Sequence, residues 1–314
     1  AITDHGVMYG VIDFYRAARE AGINPILGCE VYVAPGSRFD REVGSGDDRY
    51  YHLVLLAENN QGYSNLMKIV SKAFVEGFYY KPRVDLELLE KYHEGIIALS
   101  ACLAGEVARY LARGMYEDAK IAALRYQDIF GKGNFFLELQ DHGIPEQQTV
   151  NQQLLRMHRE TGIDLVATND VHYTMAEDAE PHDVLLCLQT QKKLSDENRM
   201  RYEGGQYYVK SPEEMVRLFP YALEALENTH RIAERCHVEI EFGVTKLPKY
   251  DVPDGFTSWE YLNKLCHEGL EQRYHPVKDV PHSPWKGHRF SEAKADVRQL
   301  GKYRTHSLQP PALT

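Results

Sequence analysis

The fold is best judged from the stretch Leu165-Val166-Ala167-Thr168-Asn169-Asp170-Val171-His172-Tyr173, in which apolar residues give way to a polar cluster. Leu165 to Ala167 predict the end of a buried strand. Asp170 and His172 are two residues apart, so in extended backbone their side chains point to the same side. A carboxylate and an imidazole that converge at a strand end suit a metal site. The plainer alternative is a loop Asp that caps the next helix beside a surface His.

Strands and helices alternate along the chain on both sides of this stretch. Apolar runs predict strands at 26–33, 52–57, 96–100, 134–140 and 165–168, and residues 1–3 resemble the tail of another strand. Helical spacing predicts helices at 11–21, 60–77, 106–130 (two, split at Gly114), 145–161, 183–191, 212–218, 221–236 and 258–274. This order predicts an α/β fold with a parallel sheet, and such folds place their sites at the carboxyl ends of the strands. No glycine-rich dinucleotide or P-loop motif follows a strand.

Composition narrows the class of protein further. The 314 residues are 43% hydrophobic and 26% charged, which is typical of a globular protein with a sizeable core. A net charge of −10 argues against a surface that is basic throughout, so nucleic acid would need a local basic groove or metal ions. No apolar run approaches the roughly 18 residues of a membrane span. The 5 scattered cysteines form no CxxC pair and favour a reducing, cytoplasmic setting.

The alternation of predicted strands and helices weakens towards the carboxyl terminus. We expect a domain at 1–245, then a linker with Pro248, Pro253 and Gly255 and one more helix at 246–274. Residues 275–314 are rich in proline and carry an excess of Lys and Arg over acids, with no helical or strand period. We expect this tail to be irregular or poorly packed.

Several candidate metal ligands lie near predicted strand ends. They are Asp4 and His5 after the first strand, Glu30 within the second, His52 at the start of the third, Cys102 after the fourth, and Asp170 and His172 after the sixth. Imidazole, carboxylate and thiolate groups suit zinc or a mixed cluster with manganese or iron. The set exceeds one tetrahedral site, so two or more ions are predicted. Two ions can clamp a phosphate ester and activate water near neutral pH.

Each candidate also has an ordinary structural explanation. His5 could be a turn residue, Glu30 could pair with a nearby Lys or Arg, and His52 could be a strand-edge histidine. Cys102 could be a small buried hydrophobic residue. Asp4 could orient His5 rather than contact a metal ion. Their recurrence near the ends of successive strands favours the metal site.

The chain resembles the polymerase and histidinol phosphatase (PHP) family over about residues 1–274. The matching pieces are Ala1-Ile2-Thr3-Asp4-His5-Gly6, Gly28-Cys29-Glu30-Val31-Tyr32, His52-Leu53-Val54-Leu55-Leu56-Ala57, Gly77-Phe78-Tyr79-Tyr80-Lys81-Pro82-Arg83, Ser100-Ala101-Cys102-Leu103-Ala104-Gly105 and Ala167-Thr168-Asn169-Asp170-Val171-His172-Tyr173. The first piece is a general signal of the family. The Gly77 and Ser100 pieces are similar to the PHP domains of bacterial replicative polymerase alpha subunits.

The resemblance implies a distorted (β/α)7 barrel, TIM-like, with a cluster of two to three divalent ions at the strand ends. His5, Glu30, His52, Cys102, Asp170 and His172 fall on ligand positions of that pattern. The family's opening His-x-His motif would lie before Ala1, and the polymerase aspartates, with their magnesium, would lie beyond Tyr274. We therefore expect a chain that lacks the first strand and the polymerase core.

The resemblance also implies a function in DNA replication. The parent protein would be a DNA-directed DNA polymerase whose partners are primer-template DNA, the sliding clamp and a proofreading subunit, with no membrane. The PHP domain would be a metal-dependent phosphoesterase with 3′–5′ exonuclease activity. One alternative is an inactive scaffold for the polymerase core or a proofreading partner, and another is a free-standing small-molecule phosphatase.

Lys81 and Arg83 are candidate DNA-binding residues. They stand beside Phe78, Tyr79 and Tyr80, so the segment could hold a phosphate backbone and stack a base. The alternative is an aromatic loop packed on its own domain with a solvated basic edge.

Overall fold

A computed structural model describes residues 1–42, 49–248 and 250–273 and divides into two compact units, Ala1–Glu241 and Phe242–Thr314. The first unit contains α1 (Val11–Glu20), β1 (Gly28–Val33), β2 (Tyr51–Ala57), α2 (Asn60–Val75), β3 (Arg83–Val84), α3 (Leu86–Tyr92), β4 (Ile96–Leu99), α4 (Glu106–Ala112), α5 (Tyr116–Phe130), β5 (Phe135–Leu139), α6 (Pro145–Thr161), β6 (Leu165–Ala167), α7 (Ala179–Thr190), α8 (Pro212–Leu218) and α9 (Leu223–Arg235). Two short 3₁₀ turns, Ala176–Asp178 and Glu203–Gly205, flank α7. The second unit contains α10 (Ser258–Arg273).

The six strands form one mixed sheet in the order β3-β1-β2-β4-β5-β6. β2 is antiparallel to both of its neighbours, β1 and β4, and the remaining pairs are parallel. The expectation of a wholly parallel sheet was therefore wrong for β2. A parallel neighbour needs a long crossover, usually helical, and the described part of the connection from β1 to β2 contains no helix.

The first residues run beside β1 without forming a regular strand. Ile2 and His5 make isolated parallel bridges to Leu27 and Glu30. The Gly6 N–H donates to the Glu30 carbonyl oxygen at 2.8 Å. The predicted strand at residues 1–3 is thus an extended segment that is tied to β1 at only a few points.

The sheet is buried on both faces, which explains the nearly continuous apolar strands. One face packs against the helices in a large cluster that includes Leu55, Leu66 and Leu137. The other face carries a smaller apolar cluster that includes Val54, Leu56 and Phe136, with Ile232 and Cys236 from the α9 region. Because side chains alternate along a strand, Glu30, His52 and Glu138 share this second face.

Local sequence accounts for several helix boundaries. The Asn59 side chain accepts a hydrogen bond from the Gly62 N–H at 3.0 Å and caps α2. Pro145 begins α6, and Gly162 ends it in the left-handed conformation at φ 70°. The predicted bounds of α6 and α8 and the division at Gly114 between α4 and α5 are confirmed.

The pattern missed two short elements, β3 and α3. Both are too short for a period to stand out, since β3 has 2 residues and α3 has 7. In the second unit, α10 agrees with the helix predicted after the linker. The irregular tail predicted for residues 275–314 lies outside the described residues. No helix in the described ranges is long and apolar enough to cross a membrane.

Candidate metal centre

Strand direction brings the candidate ligands to one end of the sheet. We call this group of side chains the rim: His5, Glu30, His52, Cys102, Asp170 and His172. β2 runs opposite to its neighbours, so its first residues lie at the same end of the sheet as the last residues of β1 and β4. His52 is the second residue of β2, and it pairs in register with Tyr32 near the end of β1. A residue at the start of one strand thereby joins residues that lie near the ends of its neighbours.

Glu30 is the centre of the rim. It is only 4% exposed, and its Oε1 lies 2.6 Å from His5 Nδ1 and 2.8 Å from His52 Nδ1. Cys102 Sγ lies 3.6 Å from His52 Nδ1. Glu30, His52 and Cys102 together can offer three ligand atoms within 4.8 Å of one another. Each imidazole therefore has a direct partner in the rim.

His172 reaches the same rim from the loop after β6. Its Nδ1 donates to the Asp170 carbonyl oxygen at 2.7 Å, so Nε2 carries the lone pair. His172 Nε2 lies 3.4 Å from His5 Nε2. A backbone partner on one ring nitrogen, which leaves the other free, is the usual arrangement of a histidine that ligates a metal.

Asp170 lies at the edge of this group. Its Oδ1 is 3.9 Å from His172 Nδ1, and its backbone is left-handed at φ 42°. Asp4 is placed differently from the prediction that it orients His5. Its carboxylate accepts the Gly10 N–H at 3.1 Å, before α1, and contacts no imidazole among the described residues.

The electrostatics of Glu30 favour its charged form. Burial alone would raise the pKa of this carboxyl, but hydrogen bonds and positive charge from His5 and His52 outweigh burial and lower the pKa to about 2. The hydrogen bond to Glu30 raises the pKa of His5 above its usual value. Glu30 and His5 therefore form a charge-assisted pair at one edge of the rim.

The surroundings of the Cys102 thiol favour its neutral, protonated form. Burial, together with the negative charges of Glu30 and Asp170, raises its pKa well above the usual value. Burial also raises the pKa of Asp170. A cation at the rim would reverse both shifts, because it stabilises thiolate and carboxylate directly.

A cavity of about 660 Å³ adjoins the rim. Its polar lining includes His5, Glu30, Asp170 and His172, and its apolar lining includes Val54, Leu56, Leu99, Val166 and Ile232. The His5 side chain is 47% exposed. The rim is therefore open to solvent at His5.

Sequence reasoning missed several residues around the rim. Glu138 is buried on β5, and burial raises its pKa to about 7. Its only sequence signal was a lone acid in the otherwise apolar run 135–139. The rings of Tyr32 and Tyr202 lie 5.3 and 4.3 Å from those of His52 and His172, between ring centroids. Tyrosines carried no spacing signal, because they reach the rim from unrelated elements.

The two candidate DNA-binding residues separate in the structure. Lys81 is exposed, and its Nζ lies 5.4 Å from the centroid of Tyr32, next to the rim. Arg83 is only 2% exposed, and its guanidinium donates to the carbonyl oxygens of Gly77 and Arg38 at 3.3 Å each. Arg83 therefore fixes its own loop, and the structure does not leave it free to contact DNA.

The donor set fits divalent transition metal ions. Two nitrogens on one tetrahedral zinc ion lie about 3.4 Å apart, and a nitrogen and a sulfur lie about 3.6 Å apart, from the usual bond lengths. The His5–His172 nitrogen pair and the Cys102–His52 pair are separated by 3.4 and 3.6 Å. The shorter contacts of Glu30 are hydrogen bonds that bound ions would have to replace.

Comparison with known proteins finds similar sequences over most of the chain. Residues 1–142 match the family model described as PHP domain. It is 47% identical over 280 residues, 89% of its length, to the DNA polymerase III subunit alpha of Treponema pallidum (strain Nichols). It is 48% identical over 276 residues, 87% of its length, to the subunit of that name from Borreliella burgdorferi.

A third relative is the DNA polymerase III subunit alpha of Thermus aquaticus, 43% identical over 281 residues. The chain is thus a relative of bacterial DNA polymerase III alpha subunits over nearly all of its length. It covers 24%, 24% and 23% of the lengths of these three curated relatives, that is, about a quarter of each.

Proposed function

We propose that the chain is the PHP region of a DNA-directed DNA polymerase that acts in DNA replication. We further propose that its rim is a metal-dependent phosphodiesterase that removes nucleotides from a DNA 3′ end. The observation that carries the proposal is the convergence of Glu30, His52 and Cys102, whose ligand atoms lie within 4.8 Å of one another, beside His5 and His172. The printed names of the relatives support the replicative role.

The finer fold in this proposal is a distorted (β/α)7 barrel. The sheet order has β3 and β6 at its edges, and the extended segment at residues 2–5 runs along β1. In a barrel, the shared polar face of β1, β2 and β5 would surround one mouth. This geometry would gather ligands that are far apart in the sequence.

Six side chains would hold two to three divalent ions, with zinc as the first choice and manganese or iron as alternatives. They are His5, Glu30, His52, Cys102, Asp170 and His172. Bound ions would supply Lewis acidity towards the phosphate and activate water. Before an ion binds, Glu30 is anionic and orients His5 and His52, and the Asp170 carbonyl keeps the Nε2 lone pair of His172 directed at the rim.

Lys81 would face the substrate in this proposal. Its positive charge is close enough to His5 to oppose protonation of that imidazole. No carboxylate in the described ranges pairs with it, so its ammonium is available for a DNA phosphate. Primer-template DNA, the sliding clamp and a proofreading subunit would be the partners of the whole protein, and its polymerase core would use magnesium.

The test is removal of nucleotides from a labelled, mispaired primer 3′ end by the full-length protein, with added zinc, manganese or iron. We expect metal-dependent release, and we expect His52→Ala to lower the rate by at least about a hundredfold, the scale of a lost catalytic contact. His230→Ala is the matched control, since His230 is an exposed histidine on α9. Equal release by wild type and His52→Ala, or none with any of these ions, would contradict the proposal.

A second candidate function is a scaffold without hydrolytic activity. The observation that favours it is that Glu30 is already satisfied by two imidazoles, so the rim is internally bonded through side chains alone. In that case the domain would stabilise the polymerase core or bind a proofreading partner. Metal analysis separates the two, because a scaffold would retain its fold and carry no stoichiometric ions after purification.

A further inference from the structure

One buried carboxylate connects two turns that carry candidate ligands. Glu138 Oε2 accepts a hydrogen bond from the Ala101 N–H at 3.0 Å. Its Oε1 accepts from Thr168 Oγ1 at 2.5 Å and from Gln140 Nε2 at 2.9 Å. The Glu138 N–H in turn donates to Ser100 Oγ at 2.9 Å. One side chain on β5 thus bonds to the ends of both neighbouring strands, β4 and β6.

Both turns contain a residue in an unfavourable backbone conformation. Ala101, just before Cys102, has φ 64°, and Asp170, two residues after Thr168, has φ 42°. Residues with a side chain rarely adopt these left-handed values, and they keep them only where the surroundings hold them. The bond from Ala101 to Glu138 is made at the strained residue itself. The Thr168 bond fixes the backbone from which the Asp170 loop begins.

We propose that Glu138 is a positioning residue that holds these two turns together and so sets the relative positions of Cys102 and Asp170. The inference rests on the proposed metal binding, and it assigns Glu138 no contact with an ion or a substrate. Without the carboxylate, the Ala101 N–H and the Thr168 hydroxyl lose their common acceptor. The strained turns then relax, and the thiol and the carboxylate no longer face the same point.

The glutamine variant is a sharp probe because it retains the size of the side chain. An amide has one acceptor oxygen and one NH₂ group, so it cannot accept from both Ala101 and the Thr168–Gln140 side. The matched control is Glu58→Gln. Glu58 follows β2 at the opposite end of the sheet from His52, where it accepts a hydrogen bond from Arg235 Nε at 2.9 Å.

The experiment titrates the full-length protein and both variants with Co²⁺. The thiolate-to-cobalt absorption band reports ligation by Cys102, and competition with a chelator gives the affinity. We expect Glu138→Gln to bind Co²⁺ about tenfold more weakly, as when an outer hydrogen-bond partner of a metal site is lost. We also expect the thiolate band to weaken, whereas Glu58→Gln should match the wild type in both respects.

A second measurement needs no metal. Hydrogen exchange at the Ala101 amide should be at least about tenfold faster in Glu138→Gln than in the wild type, and unchanged in Glu58→Gln, because protection follows local opening. If the wild type binds no Co²⁺ but this acceleration occurs, the connection of the two turns through Glu138 is supported, and the proposed metal-dependent function is contradicted. Unchanged exchange, or faster exchange with unaltered Co²⁺ affinity and band, would overturn the role of Glu138.

Discussion

At the scale of single residues, the rim combines one candidate ligand whose charged form is favoured, Glu30, with one whose neutral form is favoured, Cys102. Glu30 has its pKa lowered to about 2, since the bonds from His5 and His52 outweigh its burial. Cys102 has its pKa raised by burial and by nearby carboxylates, so without a cation its thiol keeps its proton. Metal binding through the Cys102 thiolate would therefore displace at least the proton of this thiol.

This difference predicts proton release on metal binding and a dependence of affinity on pH. Below the raised pKa of Cys102 the ion competes with a proton, so affinity should rise by up to about tenfold per pH unit for this group. Calorimetric Zn²⁺ titrations in two buffers of different ionisation enthalpy would count the protons. The Cys102→Ser variant should release about one proton fewer than the wild type. Cys236 is another buried cysteine with a raised pKa, and the Cys236→Ser variant should release as many protons as the wild type.

Equal proton counts for Cys102→Ser and the wild type would show that Cys102 is not a ligand. His5 adds a second contribution in the same direction, because Glu30 raises the pKa of its imidazole. A variant that removes His5 should therefore also change the count near neutral pH.

The sequence alone pointed to the residues that meet at the rim, but not to the contacts that arrange them. His5, Glu30 and His52 could be predicted because each stands near a strand end in a recognisable motif. Glu138 and Tyr202 could not, since their positions depend on how β5 and the loop after α7 pack. Arg83 looked like a DNA contact in the sequence, yet burial gives it backbone partners instead.

At the scale of elements, strand existence was easier to predict than strand direction. The apolar run of β2 is compatible with either direction, because it is buried on both faces. The connection from β1 to β2 contained the relevant signal, since it is rich in Gly, Asp and Arg and shows no helical period. An antiparallel arrangement of β1 and β2 was therefore the better prediction.

The contact between α2 and the turn before β4 predicts a severe effect of Gly62→Ala. A Cβ at Gly62 would lie 1.7 Å from the Gly95 carbonyl oxygen, a backbone atom that cannot move without shifting its turn. We expect a loss of about 2–3 kcal/mol in the free energy of unfolding, as for other overpacked sites. Thermal melting should show it as a decrease in Tm of roughly 5–10 °C for a protein of this size.

Gly269→Ala in α10 provides the control for this substitution. Nothing lies within 4 Å of a Cβ placed there, so alanine should be neutral or slightly stabilising. A Gly62→Ala variant as stable as the wild type would mean that α2 and the Gly95 turn separate at little cost.

At the scale of the whole molecule, the polar rim lies at one end of a well-packed sheet, and a cavity adjoins it along the face that carries Val54 and Leu56. The cavity of about 660 Å³ is lined both by candidate ligands and by apolar side chains. Ions bound at the rim would connect the segment before α1, β1, β2 and the loops after β4 and β6. Metal binding should therefore stabilise the whole first unit rather than one loop.

We expect saturating Zn²⁺ to raise the melting temperature of the full-length protein. A ligand at a hundred times its Kd adds about 2.7 kcal/mol, which corresponds to roughly 5–10 °C in the melting transition of a unit of the size of Ala1–Glu241. Differential scanning calorimetry with zinc and with chelator would measure the shift. The double variant His52→Ala/Cys102→Ser should lose it, and an identical Tm in zinc and in chelator would rule out stoichiometric binding by the folded state.

The reversed course of β2 has a practical consequence for attaching probes. Both ends of the connection between β1 and β2, at Val33 and Tyr51, lie on the rim side, whereas the turn after Ala57 lies at the far end of the sheet. A fluorophore or an inserted tag near Glu58 would lie away from the candidate ligands, while one attached next to Val33 or Tyr51 would crowd the approach to them. Bulk added at the first position should leave access to the rim unchanged, and bulk at the second should hinder large substrates more than small ones.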